Sequence, residues 1–418
     1  MLPDRTRRGL GVLRSRRGQA LFEGFRKTSE AAADYFRPWT FEVPLVIRRE
    51  TNDRLRRVQQ LYLKCIRCFV ERYAQFGDLM PVPSRVTEII NLCRSKPYRP
   101  GTYRTDFLIN EANQIKLIET TCRFAMNGYF TSGYFLHHLA DRYLADHPGI
   151  RKIDDYTPFY DRYMEYFGPF DHVCLLKGTD ERNDTKLVIP VFEAAGFPVH
   201  VIRTPDVPAR VGEFRGAAVL GELSHEELCH LPTETVEAII AADLMNDLRT
   251  VFLVHDKRFF ALLNYEPFMR VALTRAENAE LKPFLAPTYS KRLHPEIWPQ
   301  ARVEKNRWIL KPHNIGKSID VFAGPLTETA EWQALFDSGR ADHMVLQQYI
   351  PQRRFRGRIG DTAYHDYAAG TLLFFEDGYF GPGLFRTSSY PVTNRVDDRK
   401  MVPLVTDDVR SFNTDNIL

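Results

Sequence analysis

The chain has 418 residues, 44% of them hydrophobic and 26% charged, with 57 Lys and Arg against 53 Asp and Glu for a formal charge of +4. That length suits about two or three domains with a sizeable core, and the composition excludes a disordered chain. The near balance of charge gives no argument for a nucleic-acid partner, no stretch is long and apolar enough to span a membrane, and six scattered cysteines make no disulfide framework, so a cytoplasmic protein is expected.

The first 45 residues read as a basic arm carrying Arg5, Arg7, Arg8, Arg14, Arg16 and Arg17. Asp4, Glu23 and the lack of an apolar core argue against a targeting segment. From about residue 50 to 95 the chain reads as helices, with Leu55, Val58, Leu61, Leu63 and Ile66 near helical spacing. Cys65 and Cys68 have CxxC spacing but lie within that helical run, with no second pair, so core packing is the better reading.

The segments 103–109 and 116–122 read as two strands joined by a polar turn. Pairing Ile109 with Lys116 brings Asp106 opposite Glu119 and Arg104 opposite Thr121. Strand alternation then puts Arg104, Asp106 and Leu108 on one face, matched by Leu117, Glu119 and Thr121. Like charges facing each other on a hairpin are destabilising, so the pair of acids suggests a cation between them, and oxygen donors favour Mg²⁺. A solvated hairpin is the plain alternative.

After the hairpin, a glycine-containing turn at 127–128 leads into a helix-like segment. A turn at 168–171 opens an α/β unit: a buried strand at 173–177, a helix from Asp184 to Ala195 closed by Gly196, and strands at 198–203 and 217–221. This order implies a right-handed crossover and a parallel sheet. It lacks a GxGxxG turn, so no dinucleotide site is assigned. Beyond residue 250 come short strands at 308–311, 344–348 and 371–375, and the residues from Ser411 read as a loose end.

Three stretches of this second half carry chemistry. The segment Lys311–Ser318 ends like a Walker A loop but has Lys311 where the first glycine belongs, so it is not a P-loop. A strand ending in Lys-Pro before a turn with Gly316, Lys317 and Ser318 can still present an amine and backbone N–H groups to phosphate. Lys257 stands at the start of an apolar helix-like run. The strand 344–351 ends in a proline, with Gln347, Gln348, Tyr349 and Ile350 where a backbone edge can meet an adenine.

In their order, these pieces resemble the circularly permuted ATP-grasp ligases, in particular the synthetase part of glutathionylspermidine synthetases and their uncharacterised relatives. The similarity runs over roughly residues 100 to 400. It implies an α+β and α/β architecture, a circularly permuted ATP-grasp fold with an inserted pre-ATP-grasp parallel α/β unit. The expected parts are a basic arm (1–45), a helical region with the metal-binding strand pair (46–165), the pre-ATP-grasp unit (166–250), a lysine and phosphate-loop lobe (251–345) and a C-terminal lobe (346–418). By the same resemblance Asp106, Glu119 and Thr121 hold Mg²⁺, Arg104 and Arg386 meet the transferring phosphoryl group, Lys257 and Lys311 bind the phosphates of ATP, and 347–350 bind adenine.

The family's Glu-x-Asn is Glu119-Thr120-Thr121 here, so a threonine hydroxyl replaces an amide, and Asn127 is a second candidate to complete the metal site. The resemblance implies a ligase that joins a small-molecule carboxylate to an amine through an acyl phosphate, with no nucleic-acid or membrane partner. A nucleotide-binding relative that has lost catalysis and a small-molecule kinase are its rivals. The acid, the amine and the oligomeric state are not legible in the residues.

Overall fold

The computed structural model describes residues 36–125, 150–152, 165–181, 185–316, 318–393, 396–409 and 416–418, with scattered positions between 20 and 34 and between 140 and 162. Asn127, Lys317, most of the basic arm, the helix-like segment after the hairpin and residues 411–415 lie outside these.

Four sheets organise the described residues. The largest is built on the long strand Thr362–Phe375, which pairs antiparallel with Thr102–Ile109 on one side and Phe385–Ser388 on another. The hairpin therefore completes a sheet whose other strands come from the C-terminal third of the chain. The expected 371–375 strand is only the buried end of this element. Its first half alternates, with burial beginning in earnest at Ala368, as befits a strand that leaves the core at one end. A second, antiparallel sheet sets Trp308–Pro312 beside Met344–Gln348, with Phe322–Ala323 and Thr288–Ser290 at its edges. The third is parallel and contains Val199–Arg203, His172–Lys177, Ala217–Glu222 and Asp243–Leu244, in that order. This is the α/β unit read from the sequence, and Gly196 ends its helix with φ of 81°, a conformation that costs glycine little.

The small fourth sheet ties the two ends of the described chain together. Leu45–Arg48 runs parallel to Pro403–Thr406, and Ile417 bridges to Val46. The extreme C-terminus is thus packed rather than loose: Leu418 is buried and its amide donates to the Val46 carbonyl at 2.8 Å. The helix Arg49–Glu71 lays an apolar stripe, Leu55, Val58, Tyr62, Ile66 and Phe69, into the main core. Tyr62 and Phe69 meet Phe259, whose helix follows Lys257, so the core itself fixes where that lysine emerges. Cys65 packs in this core as a buried helical thiol. No helix among the described residues is long and apolar enough to cross a membrane.

Candidate active site

The hairpin register is right at its open end and wrong at its turn. Arg104 faces Thr121 and Asp106 faces Glu119, but a bulge follows, so Phe107 meets Leu117, and Ile109 meets Ile115 rather than Lys116. One extra residue, Ile118, moves every later side chain of its strand to the other face. Leu117 accordingly lies in the core with Phe107, both fully buried, and not on the face of Asp106 as expected. Burial of two such side chains is worth about 1.5–3 kcal/mol each, enough to hold the bulge in place.

The bulge has a use. The Ile118 carbonyl accepts from Gln347 Nε2 at 3.0 Å, and Thr288 Oγ1 lies 2.7 Å from the same nitrogen. The amide oxygen of Gln347 in turn accepts from Lys311 Nζ at 2.9 Å. Gln347 is 2% exposed, so its side chain serves to join two sheets and to aim a lysine. At the next positions the amides of Gln348 and Tyr349 donate to the carbonyls of Pro287 and Arg307, both at 2.8 Å.

All the described residues singled out from the sequence line one cavity of about 640 Å³: Arg104, Asp106, Glu119, Thr121, Lys257, Lys311, Gly316, Ser318, Gln347, Gln348, Tyr349, Ile350 and Arg386. Its floor is a charge cluster. Asp106, 3% exposed, accepts from Arg104 Nε at 3.1 Å through one oxygen and from Arg386 Nη2 at 3.1 Å through the other. Glu119 Oε2 stands 3.7 Å from Lys257 Nζ and 3.9 Å from Lys311 Nζ. Lys257 also donates to the Ile315 carbonyl at 2.8 Å, which ties the phosphate-loop candidate to the helix start.

This arrangement corrects the expected electrostatics of the hairpin. The two acids do not face each other alone: four cations already surround them, Arg104 from the strand of Asp106, Lys257 from the turn before a helix, and Lys311 and Arg386 from two other strands. Burial acts to raise the pKa of Glu119, but Lys257, Lys311, Arg386 and Arg104 outweigh it and hold the carboxyl below the usual glutamate range. Burial pulls Lys311 below the usual lysine value, Glu119 opposes this, and Lys257 adds to it. The floor carries two positive charges in excess, a setting that suits a polyphosphate.

Mg²⁺ is the metal the resemblance implies, and the donors can be tested against it. Asp106, Glu119 and Thr121 offer hard oxygens, and Mg²⁺ ordinarily takes one or two protein carboxylates and completes its shell with substrate phosphates and water. The donor set fits on that basis, although Asp106 would have to exchange one guanidinium for the metal.

Several lining groups were missed in the sequence. Arg123 and Asp180 face each other at 3.7 Å, Asp397 and Asp398 come from the loop after 393, and His255 sits two residues before Lys257. His255 is 6% exposed, and burial pushes its pKa well below the ordinary histidine value. Its place in His255-Asp256-Lys257 was the one available signal. Asp256 turns instead to Arg258, at 2.7 Å. Opposite, Ser318 Oγ donates to the Thr393 carbonyl at 3.1 Å and links two loops at the cavity.

Residues 58–253 match the family model described as the AnkG N-terminal domain, a stretch that includes the hairpin and the parallel sheet. No curated protein matches the chain. Among solved structures, the apo form of a glutathione synthetase-like effector (GSS30) from Globodera pallida is similar, with a TM-score of 0.54 at 12% identity, covering 91% of this chain and 96% of that one. At that identity the likeness speaks for the fold alone: a mixed α/β architecture of several sheets.

Proposed function

We propose that the chain is an ATP-dependent carboxylate–amine ligase built on a circularly permuted ATP-grasp fold, with residues 166–250 as its pre-ATP-grasp unit, 251–345 as the phosphate-binding lobe and 346–418 as the C-terminal lobe. The observation that carries the reading is the convergence of Arg104, Arg386, Lys257 and Lys311 on Asp106 and Glu119 at the floor of one cavity. Permutation is supported by the pairing of the early strand Thr102–Ile109 with the late strand Thr362–Phe375.

In this reading Lys257 and Lys311 bind the phosphates, and the backbone beyond Tyr349, at Ile350, meets the adenine edge. Asp106, Glu119 and Thr121 hold Mg²⁺, which shields the negative charge of the phosphates. A carboxylate oxygen of the first substrate attacks the γ-phosphorus, ADP leaves, and an acyl phosphate forms. The amine then attacks the acyl carbon, phosphate leaves and the nitrogen gives up a proton to water. The protein's share is positioning and charge: Arg104 and Arg386, turned toward the cavity floor, meet the charge on the transferring group. No serine or cysteine nucleophile is required.

One observation favours a second reading. Thr121, a shorter ligand than the amide expected there, suits a nucleotide-binding relative with weakened catalysis. The deciding experiment is a screen of amino acids and polyamines for ATP-dependent phosphate release. A ligase releases phosphate only when an acid and an amine are both present. A phosphorylated product without an amine would point to a kinase, and no release with any pair, in a protein that binds ATP, to the relic.

A further inference from the structure

Outside the cavity, the parallel sheet gathers imidazole and thiol groups on one face. His172 and Cys174 are two residues apart on one strand and so share a side, and His200 on the neighbouring strand is the register partner of Cys174. A ligand atom from each of the three lies within 4.8 Å of the other two. The two imidazole rings are 4.9 Å apart, centroid to centroid, and tilted by 37°.

Glu213, in the 3-10 segment Thr204–Phe214, closes over this face. Its carbonyl lies 2.7 Å from His172 Nε2 and accepts from the Cys174 thiol at 3.4 Å, while its carboxylate lies 2.7 Å from His200 Nδ1. Arg210 clamps that carboxylate at 2.6 and 2.8 Å, which balances its charge. Each histidine therefore has one nitrogen engaged by a carbonyl or a carboxylate, and the other, His172 Nδ1 or His200 Nε2, has no protein partner among the described residues. A metal-bound histidine likewise uses one ring nitrogen for the ion and the other for an oxygen that fixes its tautomer.

We propose that His172, Cys174 and His200 form a binding site for a borderline divalent metal, Zn²⁺ by its donor set, with the fourth position open to water. Two imidazole nitrogens and a thiolate match Zn²⁺ rather than Mg²⁺, which keeps to oxygen ligands. Cys174 is buried while both histidines are half-buried, so the metal enters from the histidine side. Burial lifts the Cys174 thiol to about 11, so binding displaces its proton and strengthens as pH rises. The bound ion would pin Glu213 and its 3-10 segment to the two strands beneath.

Titration of the full chain with Co²⁺, followed by Zn²⁺ competition, tests this site by a signal that Mg²⁺-type oxygen ligands cannot give. One Co²⁺ per chain is expected, with a thiolate-to-cobalt absorption band that Zn²⁺ removes. Cys174→Ser should abolish the band, His200→Ala should weaken binding by more than the roughly 10- to 100-fold typical of losing an outer partner of a metal ligand, and Cys68→Ser should leave both unchanged. No thiolate band in wild type, or a band that survives Cys174→Ser, would overturn the proposal. Should Cys174→Ser fail to fold, His200→Gln at its half-exposed position decides: unaltered affinity and spectrum there would overturn it equally.

Discussion

The two carboxylates on the cavity floor face each other across one strand pair, yet they are held in different ways. Asp106 is deeply buried and bonded on each oxygen to a guanidinium, Arg104 from its own strand and Arg386 from a strand 280 residues later. Glu119, whose side chain is 26% exposed, stands at 3.7 and 3.9 Å from two amines and makes no close bond with either. The first is a clamp across the sheet. The second leaves two ammonium groups loosely balanced, and amines so placed can turn to an incoming anion.

The largest consequence concerns Asp106→Asn. A hairpin of two repelling acids would gain or lose little stability when one is neutralised, but removing the Asp106 charge takes a carboxylate from two half-buried guanidiniums at once. Thermal or denaturant unfolding should show a loss of about 3–5 kcal/mol, against a much smaller loss for Glu119→Gln. Equal stability of the two variants would erase the distinction. Both should also lose Mg-dependent ATP turnover, since in the proposed reading each removes a metal ligand.

Next come the lysines. Lys257→Ala and Lys311→Ala should each weaken ATP binding by about 1.5–3 kcal/mol, the worth of a charge-assisted contact, as read by calorimetry. Lys311→Ala should also loosen the contact through Gln347 to Ile118, so its effect on thermal stability should exceed that of Lys257→Ala. The reverse order would place Gln347 outside this linkage.

A smaller effect depends on pH. The folded pKa of Glu119 lies below its unfolded value, so in the interval between them the unfolded chain binds more protons. Its contribution to stability is then complete above about pH 4.3 and is lost as pH falls through the folded value. Glu119→Gln should flatten the acid limb of the stability profile. An unchanged acid limb would mean that the amines do not act on Glu119. Smallest of all should be the changes at Thr121: Thr121→Asn should keep or raise turnover and Thr121→Val lower it, with the Mg²⁺ dependence shifted in both. Identical Mg²⁺ dependence in all three forms would make Thr121 structural.

Much of the site was legible because its residue types are unusual where they stand. A lysine opening an apolar helix, a lysine ending a buried strand and acids inside strands each cost energy without a partner, which marks them. Their partners were not legible. Lys257 reaches the hairpin from the turn before a helix, Lys311 from another sheet and Arg386 from a distant strand of the same sheet, and the sequence of the hairpin alone shows only two acids. The bulge at Ile118 escaped for a different reason: Leu117 and Ile118 are both apolar, so nothing in the pattern says which of them faces the core. Arg123, Asp180 and His255 were missed because they converge only through the tertiary fold. The parallel unit was read well, since a strand, helix, strand order with a glycine stop fixes its own topology.

The central claim is that the floor of the cavity receives phosphates between Lys257 and Lys311. Calorimetric titration with ATP, ADP and AMP, on wild type and on the Lys257→Ala/Lys311→Ala double variant, tests it most directly. The account predicts that wild type binds ATP more tightly than ADP and ADP far more tightly than AMP, and that the double variant binds all three with nearly the weak affinity of AMP. Equal affinities for the three in wild type, or a preference for ATP that survives loss of both amines, would contradict it.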